Sequence, residues 1–414
     1  MSDTQWIDAW SIEEGRDRVS RLFQDRFGHA PAGVWSAPGR ANLIGEHTDY
    51  NGGLVFPFAL LHRTFVALTP REDSLVRVVS AQEDTAWEVD LDDVAPGSLS
   101  GWGTYVVGVA WALREAGYTV HGFDAAVASC VPYGAGLSSS AALEAATAVA
   151  VDAVSGLGLA GGVDAPNDEG RRVLVDACIR AENEIAGANT GGMDQAAALR
   201  AREGHLLLLD CVTNDVTHVP FALSAAGLEL LVIDTRAPHQ LVDGQYAQRR
   251  ATCEAAAVAL GVPSLRVVAD RGDTMEVIAQ ALSVPGALVP GVEPQVAVRR
   301  VRHVLGDIER VRRVALLLEE GRTAEVGPLL TSAHVSLRDD YEVSCPELDV
   351  AVDAACDAGA LGARMVGGGF GGSAIALVPH AHVQEIADAV AAAFGARGFA
   401  APGFMVAQAG APAW

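Results

Sequence analysis

The densest run of chemically capable side chains lies between Gly39 and Gly53 of this 414-residue chain, where Arg40, Glu46, His47, Thr48 and Asp49 fall among glycines. Carboxylates and an imidazole at this spacing can bind sugar hydroxyls. A buried carboxylate accepts two hydrogen bonds from vicinal hydroxyls, and a site that satisfies them penalises analogues that leave its groups unpaired. A metal centre is the competing chemistry, but one histidine with two carboxylates lacks the His/Cys spacing of a zinc site. A plain charged surface turn does not explain the apolar Leu43, Ile44, Val55 and Phe56 on its flanks. Hydroxyl recognition on a tight turn is the expectation.

A second run, Pro132 to Ser140, places Gly134, Ala135, Gly136, Leu137, Ser138, Ser139 and Ser140 between a strand pattern and an apolar helix pattern. Helix N-terminal amides aimed into such a loop favour anions, glycines allow close backbone approach, and Ser140 could offer one oxygen to a hard cation. It is neither a Walker A loop nor a dinucleotide fingerprint. From this loop alone, phosphate binding and a Gly/Ser turn capping a buried helix both stand. Glu182 and Asp194 lie on either side of a small, polar stretch containing Gly187, Gly191 and Gly192. One carboxylate could help hold Mg²⁺ while the other takes a proton from an attacking hydroxyl; a solvated helix residue is the plain alternative for Glu182. Near the end, Arg364 precedes five glycines around Phe370, which demand unusual backbone angles or close approach by another segment; a flexible hinge is the alternative.

The elements that must position these residues are read from periodicity. Ser11 and Glu14 open a helix with a capping-box pattern. Strand patterns follow at 54–60, 64–69, 75–80 and 86–91, then a helix at 103–116, a strand at 123–130, and helices at 138–154 and 171–185. A loop is expected at 164–169. The second half starts near residue 205 with strands at 205–210, 216–222 and 228–234, a helix at 245–260 and further helices to 359. Strands at 373–378 and 403–408 bracket a helix at 383–394. The expected fold is α+β: two domains, 1–205 and 206–414, of mixed or antiparallel sheets with helices, and a site in the cleft between them.

Composition bounds the partners. The 52 acidic and 29 basic residues give a formal charge of −23, which disfavours nucleic acid and anionic membrane. A nucleotide is still allowed, because distant surface charge fades over a Debye length of roughly 8 Å. Six isolated cysteines without a CxxC pair read as reduced thiols, and a cytoplasmic location is expected.

The three loops 39–53, 132–140 and 367–372, in this order, resemble the signatures of the GHMP small-molecule kinases, and the first is similar to that of the galactokinases. Gly191 to Gln195, Tyr246 before Arg249 and Arg250, and Ser336 to Leu348 agree. The resemblance covers essentially the whole chain. It implies the two-domain GHMP fold and ATP- and Mg²⁺-dependent phosphorylation of α-D-galactose at its anomeric hydroxyl. It implies that Glu46, His47, Thr48, Asp49, Gly191 and Tyr246 bind the sugar, and that Gly134 through Ser140 hold ATP, with Ser80 and Trp102 near the nucleotide. Ser140 and Glu182 would serve Mg²⁺, Asp194 would accept the proton, and Arg40 would stabilise charge beside it. A monomer working on small molecules is implied. A kinase for N-acetylgalactosamine or L-arabinose would keep the same catalytic set. A non-catalytic galactose and ATP sensor is the alternative from another class, although such relatives lack an intact Ser140-Ala141 stretch.

Overall fold

Ser11 caps the first helix as its context predicts. In the computed structural model, which describes residues 4–162, 165–188, 190–237 and 244–414, its hydroxyl accepts from the Glu14 backbone N–H at 3.1 Å. After a short strand β1 (Gln5–Trp6), this helix α1 (Ile12–Phe27) buries Val19 and Phe23 against sheet residues Phe65 and Ala126. Then come β2 (Gly33–Asn42), β3 (Leu54–Val55), β4 (Pro57–Pro70), β5 (Leu75–Ser80), β6 (Trp87–Asp90), α2 (Thr104–Glu115) and β7 (Phe123–Ser129). Five of these strands form one sheet in the order β2-β4-β7-β5-β6, antiparallel except for the parallel β5–β7 pair.

Two departures from the sequence reading follow from tertiary partners. The patterns at 54–60 and 64–69 belong mainly to one long strand, β4, because the polar pair between them is buried: His62 meets the Ile7 carbonyl, and Arg63 donates to Ser36 and to the Ala411 and Pro412 carbonyls. Arg40 sits on β2 rather than on a turn. The strand bends at a register shift between Pro38 and Arg40, where proline has no N–H to donate.

Helices α3 (Ser139–Ser155), α4 (Asp168–Arg180) and α5 (Met193–Arg200) pack with α2 and the sheet, and a wider π-type turn (Ala181–Ala186) follows α4. Helix α3 is apolar nearly all round, with Ala141, Ala145 and Ala148 buried, as suits a helix enclosed by its neighbours. The loop expected at 164–169 begins at Asp164, outside the described residues, and the chain is helical from Asp168.

Strands β8 (His205–Asp210) and β9 (Asp215–Pro220) join β3 in a three-stranded sheet. This sheet thus joins residues from both sides of the expected division at 205/206. Beyond it lie β10 (Leu228–Asp234), α6 (Gln245–Ala259), α7 (Leu265–Arg271), α8 (Met275–Leu282), α9 (Pro294–Glu319), α10 (Gly327–Ser336), α11 (Pro346–Asp357), β11 (Gly362–Val366), β12 (Ser373–Pro379), α12 (Val383–Arg397) and β13 (Gly403–Ala407). The second five-stranded sheet runs β1-β13-β10-β12-β11, so the N-terminus supplies an edge strand to the C-terminal half. The C-terminus returns the exchange: Trp414 pairs with Ser36, and the Gly410 N–H meets the Ala59 carbonyl. One apolar core joins Ile44, Phe56 and Phe58 to Leu230, Val304 and Met365. No helix among the described residues is long and apolar enough to cross a membrane.

Candidate active site

Asp194 stands at the start of α5, and Arg40 reaches it from β2 as a fork: Nε donates to Oδ1 at 2.8 Å and Nη2 to Oδ2 at 2.9 Å. Paired planar contacts of this kind fix orientation as well as charge. The third guanidinium nitrogen donates to the Gly136 carbonyl at 2.6 Å, and the Ser138 hydroxyl donates to Asp194 Oδ2. The carboxylate is thus tied to the glycine–serine loop while its side chain keeps 22% exposure, enough to leave it reachable.

That loop adopts left-handed geometry at Gly134, Gly136 and Ser138 (φ 71°, 69° and 58°) before α3 begins. Ala135 and Leu137 point into the core, Tyr133 is exposed, and Ser139 and Ser140 open the helix, whose first-turn amides lack intrahelical acceptors. The third glycine loop lies directly on it. A Cβ at Gly367 would come within 2.8 Å of the Gly136 carbonyl oxygen, and one at Gly372 within 3.0 Å of the Ala135 oxygen. Ser373 Oγ donates to the same Ala135 carbonyl at 2.7 Å. Phe370 itself has φ 60°, held by its N–H bond to the Val343 carbonyl at 2.7 Å. Backbone-on-backbone packing, not a hinge, accounts for Gly367, Gly369 and Gly372.

Around the first loop the expected sugar contacts divide. Asp49 lies against Gly191, where an added Cβ would meet Oδ2 at 2.1 Å. Burial, together with the charges of Asp194 and Glu46, pushes its carboxyl up to about 6. The Tyr246 ring is 5.4 Å from His47 and 5.6 Å from Tyr50. Burial, with Asp49 and Asp194 nearby, raises its phenol well above the usual range. His47 is buried with φ 62°, and burial followed by the His303 charge lowers it to about 3, so it is neutral.

The Thr48 hydroxyl is fully buried and turned to the Gly45 and Leu54 carbonyls at 2.8 and 2.7 Å, bracing the loop from behind. Glu46 is also committed to the protein. Arg364 Nη2 lies 2.9 Å from its Oε1, the Gly367 N–H donates to the same oxygen at 2.9 Å, and Asn42 donates to Oε2 at 3.0 Å. Its carboxylate, with a side chain 2% exposed, ties the first loop to the third.

Glu182 is buried on the π-type turn and pushed up to about 7, first by burial and then by the Asp194 charge, while hydrogen bonding from Ser140 opposes this. The Gln195 amide donates to both Glu182 and Glu144. The plain reading of Glu182 as a solvated helix residue is therefore overturned. Ser80 and Trp102 gather at one end of the first sheet: β5 pairs Val78 with Trp87, whose ring lies 6.4 Å from that of Trp102. Ser80 Oγ accepts from the Gln82 N–H, and Gln82 bonds Ser129 just before the glycine–serine loop.

Sequence reasoning gave no role to Arg364, Gln195, Glu144, Tyr50 or Tyr341. A carboxylate at position 144, one turn past Ser140 on a mostly apolar helix, was the available signal for Glu144. A cavity of about 280 Å³ bordered by Arg172, Asp176, Gly191, Gly192 and Arg200 adjoins the site but includes neither Arg40, Asp49 nor Asp194. Its cations are already paired, Arg200 with Asp168 and Arg172 with Asp215.

Comparison with known proteins agrees with this geometry. Residues 21–70 match the galactokinase galactose-binding signature, 104–202 the GHMP kinases N terminal domain and 314–396 the GHMP kinases C terminal domain. The chain is 48% identical over 387 residues to a galactokinase of Streptomyces coelicolor, covering 93% of this chain and 94% of that one. It is 39% identical over 380 residues to one of Exiguobacterium sibiricum, covering 91% and 92%. Among solved structures, Lactococcus lactis galactokinase complexed with galactose superposes with TM-score 0.83 at 32% identity, covering 95% of this chain and 98% of that one. A mevalonate kinase of Methanococcus jannaschii, at 16% identity and TM-score 0.59 over 91% of this chain and 98% of its own, shares the fold.

Proposed function

The chain belongs to the galactokinase family of the GHMP kinases, and from that premise we propose that it transfers the γ-phosphoryl group of ATP to the C1 hydroxyl of α-D-galactose. In the reaction the C1 oxygen forms the new bond to phosphorus, the bond from phosphorus to the bridging oxygen of ADP breaks, and the hydroxyl proton passes to Asp194. The products are α-D-galactose 1-phosphate and ADP. The observation that carries this reading is the Arg40–Asp194 fork at the junction of the first two loops. Phosphoryl transfer demands alignment and charge stabilisation more than covalent chemistry, and a fixed carboxylate beside a helix N-terminus supplies both. Asp49, the Gly191 backbone, His47 and Tyr246 orient the sugar. The loop from Gly134 to Ser140 cradles the phosphates, with Ser80, Trp87 and Trp102 on the nucleotide side.

The donor set at Ser140 and Glu182 fits Mg²⁺: a hydroxyl lies within hydrogen-bond reach of a carboxylate that burial has made costly to ionise, so a cation would favour its charged form. Among the described residues no three His, Cys, Asp or Glu side chains cluster as a full metal cage, and Mg²⁺ typically takes one or two carboxylates plus phosphate oxygens and water. Bound there, Mg²⁺ would neutralise phosphate charge. Six free cysteines and the use of ATP support a cytoplasmic setting, and a monomer suffices because both halves of the cleft come from one chain.

The test is turnover of galactose, glucose, L-arabinose and N-acetylgalactosamine by purified protein with ATP and Mg²⁺, with the products identified. Galactose 1-phosphate as the dominant product is expected. Preference for another sugar would redirect the substrate assignment, and binding of galactose and ATP without ADP release would replace the enzyme by a sensor.

A further inference from the structure

A buried file of polar groups runs away from the sugar loop. His47 Nδ1 lies 2.8 Å from the Tyr50 hydroxyl, which lies 2.8 Å from the Tyr341 hydroxyl, which in turn lies 3.2 Å from Cys253 Sγ. The rings are packed together, His47 against Tyr341 at 4.8 Å between centroids and against Tyr246 at 5.4 Å. His47 is 5% exposed and Tyr341 fully buried, and the second ring nitrogen of His47, Nε2, is buried with no hydrogen-bond partner among the described residues.

A neutral imidazole carries one N–H and one lone pair, so the direction in which this file donates decides which nitrogen holds the proton. In one direction Cys253 S–H donates to Tyr341, Tyr341 O–H to Tyr50, and Tyr50 O–H to Nδ1. In the other, Nδ1–H donates to Tyr50 and the file ends with the Tyr341 hydroxyl donating to a thiol sulfur, a weak acceptor. The first direction pairs a phenol O–H with imidazole nitrogen, the strongest acceptor present.

We propose that Tyr50 and Tyr341 are positioning residues that hold His47 as its Nε2–H tautomer, so that His47 meets the sugar as a hydrogen-bond donor and reads one hydroxyl through its oxygen lone pair. The inference rests on the galactose reading above. It separates two roles at the sugar: Asp49 can only accept from hydroxyls once ionised, whereas His47 supplies a donor. At the position His47 reads, fluorine, which accepts but does not donate, then substitutes for hydroxyl better than hydrogen does.

The experiment is a long-range ¹H–¹⁵N NMR spectrum of full-length protein labelled at histidine, with the His47 signals identified by their loss in His47→Gln. Nε2 is expected to be the protonated nitrogen in the wild type, and a protonated Nδ1 overturns the proposal whatever the variants do. In Tyr50→Phe the tautomer preference should be lost. In parallel, monofluoro and monodeoxy galactoses are compared as substrates. One ring position should favour fluorine over hydrogen by about tenfold in kcat/KM, the scale of one neutral hydrogen bond, and the ratio should fall towards one in Tyr50→Phe. An unchanged ratio and an unchanged tautomer in a folded Tyr50→Phe would overturn it; Tyr341→Phe serves if Tyr50→Phe does not fold. Absence of ADP release from the wild type would instead remove the galactokinase reading and leave the tautomer result standing.

Discussion

In the proposed sugar site, Asp49 shows how one desolvated carboxylate would set a pH dependence. To accept hydrogen bonds from two sugar hydroxyls it must be ionised, and burial has raised its carboxyl to about 6. The value of kcat/KM for galactose should therefore decline as pH falls through about 6, and Asp49→Asn should weaken sugar binding and flatten that limb; a wild-type profile level down to pH 5 would remove Asp49 from the sugar site. The stability consequence has the opposite sense. A folded value above the unfolded one contributes stability that is full below about 4 and lost as pH rises through about 6. Without ligand, Asp49→Asn should thus gain on the wild type between pH 5 and pH 8, by roughly 1–3 kcal/mol in urea unfolding. At this scale, residue types and spacing singled out Asp49 and Asp194, which the fold brings near each other beside Arg40. They could not show that Thr48 turns its hydroxyl inward or that the Glu46 carboxylate is taken by Arg364, because both depend on partners fixed only by the fold.

At the scale of elements, the glycine loops work by contact rather than by freedom. Gly369 has φ 79°, and a Cβ there would sit 2.2 Å from the Val343 carbonyl oxygen, a backbone atom with no cheap escape. Gly28 has the same φ of 79° and nothing within 4 Å of an added Cβ. Gly28→Ala should therefore cost only the left-handed penalty, about 1–2 kcal/mol. Gly369→Ala should lower the melting temperature further and weaken ATP binding as the loop is pushed off its phosphate-side neighbour; equal melting temperatures for the two variants would contradict the packing argument. Strands β8 and β10 were legible to the residue because their apolar runs are bounded by turn signals. The continuous β4 and the strand character of Arg40 were not. His62-Arg63 and Pro38-Gly39 read locally as breaks, and only distant partners, the Ile7 carbonyl and the C-terminal tail, override them.

On the scale of the molecule, each chain end is built into the opposite half. The tail is held by Arg63, a buried guanidinium whose burial lowers it to about 10 and whose donors reach the Ala411 and Pro412 carbonyls at 2.8 Å. Removing residues 411–414 leaves that charge buried without two of its acceptors, and should cost at least about 2 kcal/mol in urea unfolding; an unchanged midpoint would show that the tail merely decorates the surface. Composition and spacing foretold two α+β halves but could not show this exchange of ends, which depends on pairings between residues hundreds of positions apart. The same interlocking brings Arg40 from β2, Asp194 from α5 and the third glycine loop from the C-terminal sheet to one point, where the proposed transfer occurs. The most direct measurement of that claim compares Asp194→Asn with the wild type for ADP release and for equilibrium galactose binding. The arrangement predicts kcat lower by about 10²–10⁴-fold with sugar affinity within about tenfold of the wild type. A variant that turns over galactose at the wild-type rate would contradict it.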